Sequence, residues 1–330
     1  DTWYYLLRWP AFYPYASYDG IPFRSAVTEL EQANDETITA NYIRINLGSV
    51  FTPIKDLSIN VDYTFDVLND HQKRDGGQVW GRDFFNTADP LQYALLSWTG
   101  DNRVIERSRY TTSNTVKAYA TYSKRFYEDH SLKAMLGMDA EKRDRKGHYS
   151  ERRDLINFDQ PELALATGDQ FVDGTAYHNE FSAAGFFGRI NYDYKSKYLL
   201  SAVFRQDGYS SLLGDNRWGF FPGVSAGWIF GQENFIKEAI PFLSFGKLRA
   251  SYGVNGNASG IGAYTLQGSY NTAVYNGNTG FLIGTLPNPG LRWEKTKTAE
   301  VGMDLSFFEN RLNANFTYYN RLTSDKYAAF

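Results

Sequence analysis

One stretch of the sequence gathers aromatic and charged side chains: Trp80, Phe84, Phe85, Tyr93 and Trp98 stand among Arg82, Asp83, Arg103 and Arg109. Flat aromatic faces stack on sugar rings, and charged groups beside them hydrogen-bond hydroxyls. The combination suits an oligomeric ligand held in a cup with few polar anchors. Packing of loop on loop accounts for the same residues equally well. Trp80, Arg82, Asp83, Phe84, Tyr93, Trp98 and Arg109 are therefore the candidate ligand-binding residues.

Other chemistry is thinner. Gly223-Val-Ser-Ala-Gly227 matches a G-x-S-x-G nucleophile elbow, which needs a sharp strand-to-helix turn to expose Ser225. Here the match lies inside a strand-like run from Phe220 to Phe230, so no catalytic residue is assigned and no enzyme is expected. His71, His130, His148 and His178 show no i, i+4 pairing, and no metal site is expected from them. Asp207, Asp215 and Asn216 offer oxygen ligands for a structural calcium ion, but they lack the Gly and Glu placement of a dedicated calcium loop. Ordinary turn chemistry explains them too. No other cofactor is expected. The chain has no cysteine, which removes disulfides, thiolate zinc sites and cysteine nucleophiles. A net charge of −3 argues against a nucleic-acid partner.

The elements that must position these residues are read from alternation. No stretch is apolar for long enough to cross a bilayer as a helix, and mean hydropathy is −0.47. Barrel strands escape that test, because their residues alternate between lipid and lumen. Leu57, Ile59, Val61, Tyr63, Phe65 and Val67 face one way, and Ser58, Asn60, Asp62, Thr64 and Asp66 the other. Leu132 to Glu141, Glu300 to Phe307 and Arg311 to Tyr318 repeat the pattern. Segments near 40–48, 114–124, 180–194, 197–206, 218–230 and 246–254 follow it less strictly. That makes about ten strands of membrane-crossing length.

Connections alternate in length. Tight ones fall at Thr52–Asp56, Tyr127–His130, Lys195–Lys197 and Phe308–Asn310, and Glu233–Phe245 is longer with an expected helical turn. Long ones are expected at 68–112, 148–178, 207–217 and 256–292. Short turns on one rim and long loops on the other describe a bacterial outer-membrane barrel with the long loops extracellular. Tyr and Phe flank the tight turns, as interfacial aromatics do. Asp62, Asp139 and Glu141 would be charges in hydrocarbon, each costing up to roughly 2–4 kcal/mol near the midplane, so the polar faces line a wide lumen. Residues 1–36 read as an aromatic, proline-rich irregular segment, and residues 37–330 as barrel strands with their loops. Within the first segment Trp3, Trp9, Tyr13, Tyr15 and Tyr18 would line the cavity or pack on a plug, while Pro10, Pro14 and Pro22 oppose strand pairing. Arg143, Arg145, Arg152 and Arg153 lie where an expected strand leads into a long loop. They are candidates to grip lipopolysaccharide phosphates of outer-membrane lipid, against the plainer reading of a solvated charge run.

From Phe187 onward the sequence resembles the SusC/RagA family of TonB-dependent outer-membrane transporters of Bacteroidetes. The residues that carry the likeness are Phe187-Gly-Arg-Ile-Asn-Tyr, Tyr198-Leu-Leu-Ser-Ala, Arg205-Gln-Asp-Gly-Tyr-Ser, Asn216-Arg-Trp-Gly-Phe-Phe-Pro, Lys247-Leu-Arg-Ala-Ser-Tyr-Gly and Asn288-Pro-Gly-Leu-Arg-Trp-Glu. Tyr42-Ile-Arg-Ile-Asn and Pro53-Ile-Lys-Asp-Leu-Ser-Ile are similar but looser. The resemblance implies an all-β, antiparallel transmembrane barrel of about 22 strands closed around a plug, of which this chain supplies about ten. The plug and the TonB-contacting segment have no counterpart in the sequence, which is expected to be a piece of a longer protein. It also implies active import of oligosaccharides, with oligopeptides as the alternative, energised through TonB and lidded by a SusD-like surface lipoprotein. A passive porin would need fewer strands and no plug.

Overall fold

The structure, a computed structural model, describes residues 17–32, 35–76, 79–83, 86, 88–96, 102–171, 177–262 and 264–327. Ten long strands make the main sheet: β1 (Asp35–Ile54), β2 (Leu57–Gly76), β3 (Arg103–Phe126), β4 (His130–Arg153), β5 (Tyr177–Tyr194), β6 (Tyr198–Tyr209), β7 (Trp218–Trp228), β8 (Leu243–Asn257), β9 (Glu294–Phe307) and β10 (Leu312–Ser324). Each pairs with its neighbours in the sequence, in the spatial order β10-β9-β8-β7-β6-β5-β4-β3-β2-β1. A two-residue strand, Gln170–Phe171, adds to β4. A helix, α1 (Ala26–Gln32), precedes the sheet, and α2 (Asn234–Ala239) fills the β7–β8 connection as the spacing there predicted.

Several boundaries differ from the sequence reading. β2 runs to Gly76 and β3 begins at Arg103, so the connection read as 68–112 shrinks to 77–102. Strand β4 reaches Arg153 and β5 begins at Tyr177, which cuts 148–178 to 154–176. The connection after β8 carries a hairpin of its own, Tyr270–Tyr275 with Asn278–Ile283. The cause is physical: above the hydrocarbon both faces of a strand are polar, so apolar alternation stops before the hydrogen bonding does. Residues 1–36 are not wholly irregular either. Ser17–Tyr18 pairs with Ile21–Pro22, and α1 follows, with Ser25 Oγ accepting from the Thr28 amide at 3.2 Å as its N-cap. Trp3, Trp9, Tyr13 and Tyr15 lie outside the described residues.

By contact density the chain divides into two compact units, one of residues 1–43, 66–112 and 145–179, the other of 44–65, 113–144 and 180–330. In the second unit the registers separate two faces. One carries the rows Tyr194–Tyr198–Trp228–Leu248–Met303–Phe316 and Tyr192–Leu200–Ala226–Ala250–Val301–Tyr318. The other carries Asn191–Ser201–Ser225–Ser251–Glu300–Tyr319 and Asp193–Leu199–Gly227–Arg249–Gly302–Thr317. Apolar and polar rows occupy opposite faces because a strand reverses its side chains at every residue.

At the short-turn end aromatic rings form a band. His130 Nδ1 lies 2.6 Å from Tyr192 Oη, its ring 4.7 Å from that of Tyr194, and Tyr194 stacks on Tyr198 at 6.1 Å. Phe242 stacks on Phe308 at 5.7 Å. Glu233, just before α2, accepts from Lys197 Nζ (2.9 Å), Tyr198 Oη (2.8 Å) and Trp228 Nε1 (3.3 Å). The Lys197 ammonium and then the Tyr198 hydroxyl hold its carboxyl down at about 2. The three-residue β5–β6 turn places Lys195 and Ser196 in succession in the left-handed region, at φ 55° and 53°, without glycine. The Ser196 amide donates to Asp193 Oδ1 at 2.7 Å and secures it.

Candidate functional site

In the first unit a short hairpin pairs Trp80–Arg82 with Tyr93–Leu95. It puts Trp80 beside Tyr93, rings stacked at 6.0 Å and both exposed to solvent. Phe23, Val79 and Leu96 are buried next to this hairpin in sequence and pairing, and Phe23 bridges to Arg82. Asp83 binds Arg24 at 3.0 Å, and Gln32 at the end of α1 accepts from the Trp80 amide at 2.8 Å. The Nε of Arg82 is buried and has no hydrogen-bond partner among the described residues. Trp80, Arg82, Asp83 and Tyr93 are thus brought together at one hairpin. Phe84, Phe85 and Trp98 lie outside the described residues.

Arg109 is not part of that hairpin. It lies within β3, not in a loop, and its Nε meets Asp70 of β2 at 2.6 Å. Around it Asp70, Gln72, Arg107, Tyr149 and Tyr177 line a polar cavity of about 490 Å³, with the Arg107 guanidinium 5.0 Å above the Tyr149 ring. Tyr149 donates to Glu151, which also binds Arg103 (3.2 Å) and Arg153 (3.3 Å). Sequence reasoning missed this cavity. Its trace is the i, i+4, i+6 spacing that puts Arg103, Arg107 and Arg109 on one side of a strand, legible only once β3 is known to start so early.

In the second unit the polar face is cross-linked by charge. Arg205 Nη2 lies 2.9 and 3.0 Å from the two oxygens of Asp139, its Nε lies 2.7 Å from Asp207, and its guanidinium sits 5.6 Å over the Phe187 ring. Asp207 is thereby committed to Arg205 and stands apart in role from Asp215 and Asn216, which occupy the short 3-10 turn Gly214–Arg217. Arg249 binds Glu300, approaches Asp304 at 3.6 Å and donates to Thr317 at 2.6 Å. A side chain at Gly302 would start 2.5 Å from the guanidinium carbon, so glycine makes room for Arg249 to lie flat. Ser225 sits mid-strand between Ser201 and Ser251, with no turn to expose it as a nucleophile elbow would require.

A small apolar core pins the long loops. Leu212, Phe221, Ala258, Ile261, Leu266 and Trp293 are buried together. Trp293 meets Phe221 and Tyr209 edge-on, at 5.3 and 5.7 Å, and donates Nε1 to the Arg217 carbonyl at 3.1 Å. Phe221 lies across Gly219 and Gly256, where a Cβ would come within 2.3 and 2.1 Å of its ring. The motifs around Asn216 and Asn288 therefore meet in one structural clamp.

The arginines assigned to lipopolysaccharide fall differently from the expectation. Because β4 continues to Arg153, Arg143, Arg145 and Arg153 share the parity of Asp139 and Glu141, opposite to exposed Leu136 and Met138. Arg143 binds Glu141 at 2.6 Å and lies over Phe181. Arg152 donates to the carbonyls of Gly168 (3.0 Å) and Leu163 (3.2 Å), tying its loop down.

A two-faced antiparallel meander with short turns at one end matches a known architecture. The model of TonB dependent receptor-like β-barrels matches residues 3–329. The chain belongs to this family. TonB-dependent receptor P39 of Formosa agariphila is 44% identical over 304 residues, covering 86% of this chain and 25% of that protein. TonB-dependent receptor SusC of Bacteroides thetaiotaomicron is 28% identical over 282 residues, covering 81% and 27%. The solved RagAB peptide transporter shares the fold, with a TM-score of 0.74 at 24% identity over 94% of this chain and 33% of that one. The chain spans about a quarter to a third of these relatives. It is part of the wall of a larger TonB-dependent receptor barrel of the outer membrane, similar in sequence to SusC and in fold to the RagAB transporter.

Proposed function

We propose that this chain forms part of the wall and outer binding surface of an active, TonB-dependent importer of oligosaccharides, working beneath a SusD-like surface lipoprotein. The observation that carries the substrate class is the exposed Trp80–Tyr93 stack flanked by Arg82 and Asp83, a flat surface with polar neighbours of the kind that sugar rings meet. Membership of a TonB-dependent family favours energised uptake over a passive porin. The polar face locked by Arg205 and Arg249 supports a rigid lumen, which leaves movement to the plug. A second reading, oligopeptide import, is favoured by the likeness to the RagAB peptide transporter and by the cavity at Arg107, Arg109 and Asp70, whose charges would pair with peptide termini.

Binding of defined malto- and fructo-oligosaccharides, and of mixed peptides, to the full-length protein with its lipoprotein separates the readings. Replacing Trp80 and Tyr93 with Ala is expected to weaken glycan binding at least ten-fold while assembly is kept. Peptide binding that survives this double variant but falls in Arg109→Gln would instead establish the second reading.

A further inference from the structure

The apolar face of the second unit is not smooth where it approaches the long-loop end. On β4, β5 and β6 the outward positions Ala140, Ala184 and Gly208 are small and floor a trough of about 560 Å³. Trp218 walls it, its ring lying over Gly208, where a Cβ would come within 2.9 Å, and stacking on Phe186 at 6.2 Å. Lys142 and Arg217 stand at its upper edge. Lys142 is exposed and loosely paired, 3.6 Å from an equally open Glu180. Arg217 is exposed, gives its Nε to the Leu212 carbonyl at 3.1 Å, and makes no ion pair among the described residues.

We propose that this trough holds one phosphorylated lipid of the outer leaflet, with its phosphate between Lys142 and Arg217 and an acyl chain along Ala140, Ala184 and Gly208. Three observations converge. The trough lies on the face whose rows are Leu, Val, Ala and aromatic, so hydrocarbon covers it in the membrane. Its cations stand beside the tryptophan, the residue that marks the depth where chains give way to headgroups. A guanidinium with donors to spare offers charge-assisted hydrogen bonds that suit a phosphate better than a neutral headgroup. Arg143, Arg152 and Arg153 are turned to other partners, whereas Lys142 and Arg217 line the trough itself.

Native mass spectrometry of the full-length protein, extracted from outer membranes in mild detergent, tests this. A phosphorylated lipid adduct is expected on the unaltered protein, reduced at least ten-fold in K142Q/R217Q and likewise in Ala184→Phe, which fills the trough and keeps both cations. Migration of the unheated barrel on gels confirms assembly of each variant, and the charge variant decides alone if Ala184→Phe does not assemble. An adduct undiminished by K142Q/R217Q overturns the proposal. So does displacement of the lipid by inorganic phosphate at equal concentration, which would mean an anion site without an acyl groove.

Discussion

Arg205 shows how one residue type serves the polar face. It meets Asp139 from β4 and Asp207 from its own strand, and its charge keeps two carboxylates from repelling across the sheet. Arg205→Gln is expected to lower unfolding stability in lipid by roughly 1–3 kcal/mol, since two half-buried carboxylates lose their partner. Adding Asp139→Asn should restore part of the loss. Urea unfolding of the three variants measures it, and additive effects would show that the groups act separately. The motif Arg205-Gln-Asp-Gly-Tyr-Ser was legible as a family signature, but Asp207 read as the start of a loop, whereas the strand runs on to Tyr209 and sets Asp207 on the face of Arg205. What it could not disclose was that Tyr209 packs on Trp293, or that Phe221 needs Gly219 and Gly256. Those partners lie far apart in the chain and belong to no local period.

At the scale of elements, the strands were legible wherever hydrocarbon touches them and lost where it does not, as the early start of β3 at Arg103 shows. The short-turn rim was also legible, through Tyr192, Tyr194 and Tyr198, but its hub was not, because nothing around Glu233 signals that three donors converge there. That hub carries a pH dependence. The Glu233 carboxyl sits at about 2 when folded and near its ordinary value of 4.5 when unfolded. Its contribution to stability is therefore complete above about pH 4.5 and is lost as pH falls through about 2. Glu233→Gln is expected to be less stable than the unaltered protein at pH 7 and indistinguishable from it below pH 2. A gap between them that stays constant over this range, measured by thermal unfolding, would remove Glu233 from the account.

Across the whole molecule the apolar face has a defined height. Trp218 and Trp228 end the same strand, and a rise of about 3.3 Å per residue at a tilt of about 45° turns their separation into about 23 Å of membrane thickness. That approaches the apolar band of about 25 Å of outer-membrane barrels. Both tryptophans are expected at headgroup depth on opposite sides. Fluorescence lost in Trp218→Phe and in Trp228→Phe should each be the component quenched best by lipids brominated near the headgroup, and quenching best by mid-chain bromines would refute the assignment. Family and fold class were readable at this scale from alternation and motifs together. The candidate surface was readable only in part: the nearness of Trp80 and Tyr93 was legible, whereas the Arg107–Asp70 cavity was hidden in strands read as loop.

The strictly sequential order of the sheet bears on how it assembles. Every strand pairs with its immediate successor, and four of the nine connections, β1–β2, β3–β4, β5–β6 and β9–β10, are tight turns of two to four residues that can close hairpin by hairpin. Of the long connections, the join of β8 to β9 is the longest, spanning 258–293. It must close a loop roughly ten times longer than a tight turn, an added entropy cost of about 2 kcal/mol. The clamp of Trp293 on Phe221 forms at the mouth of that loop, where it can hold the two strand ends together while the ladder zips toward Phe307.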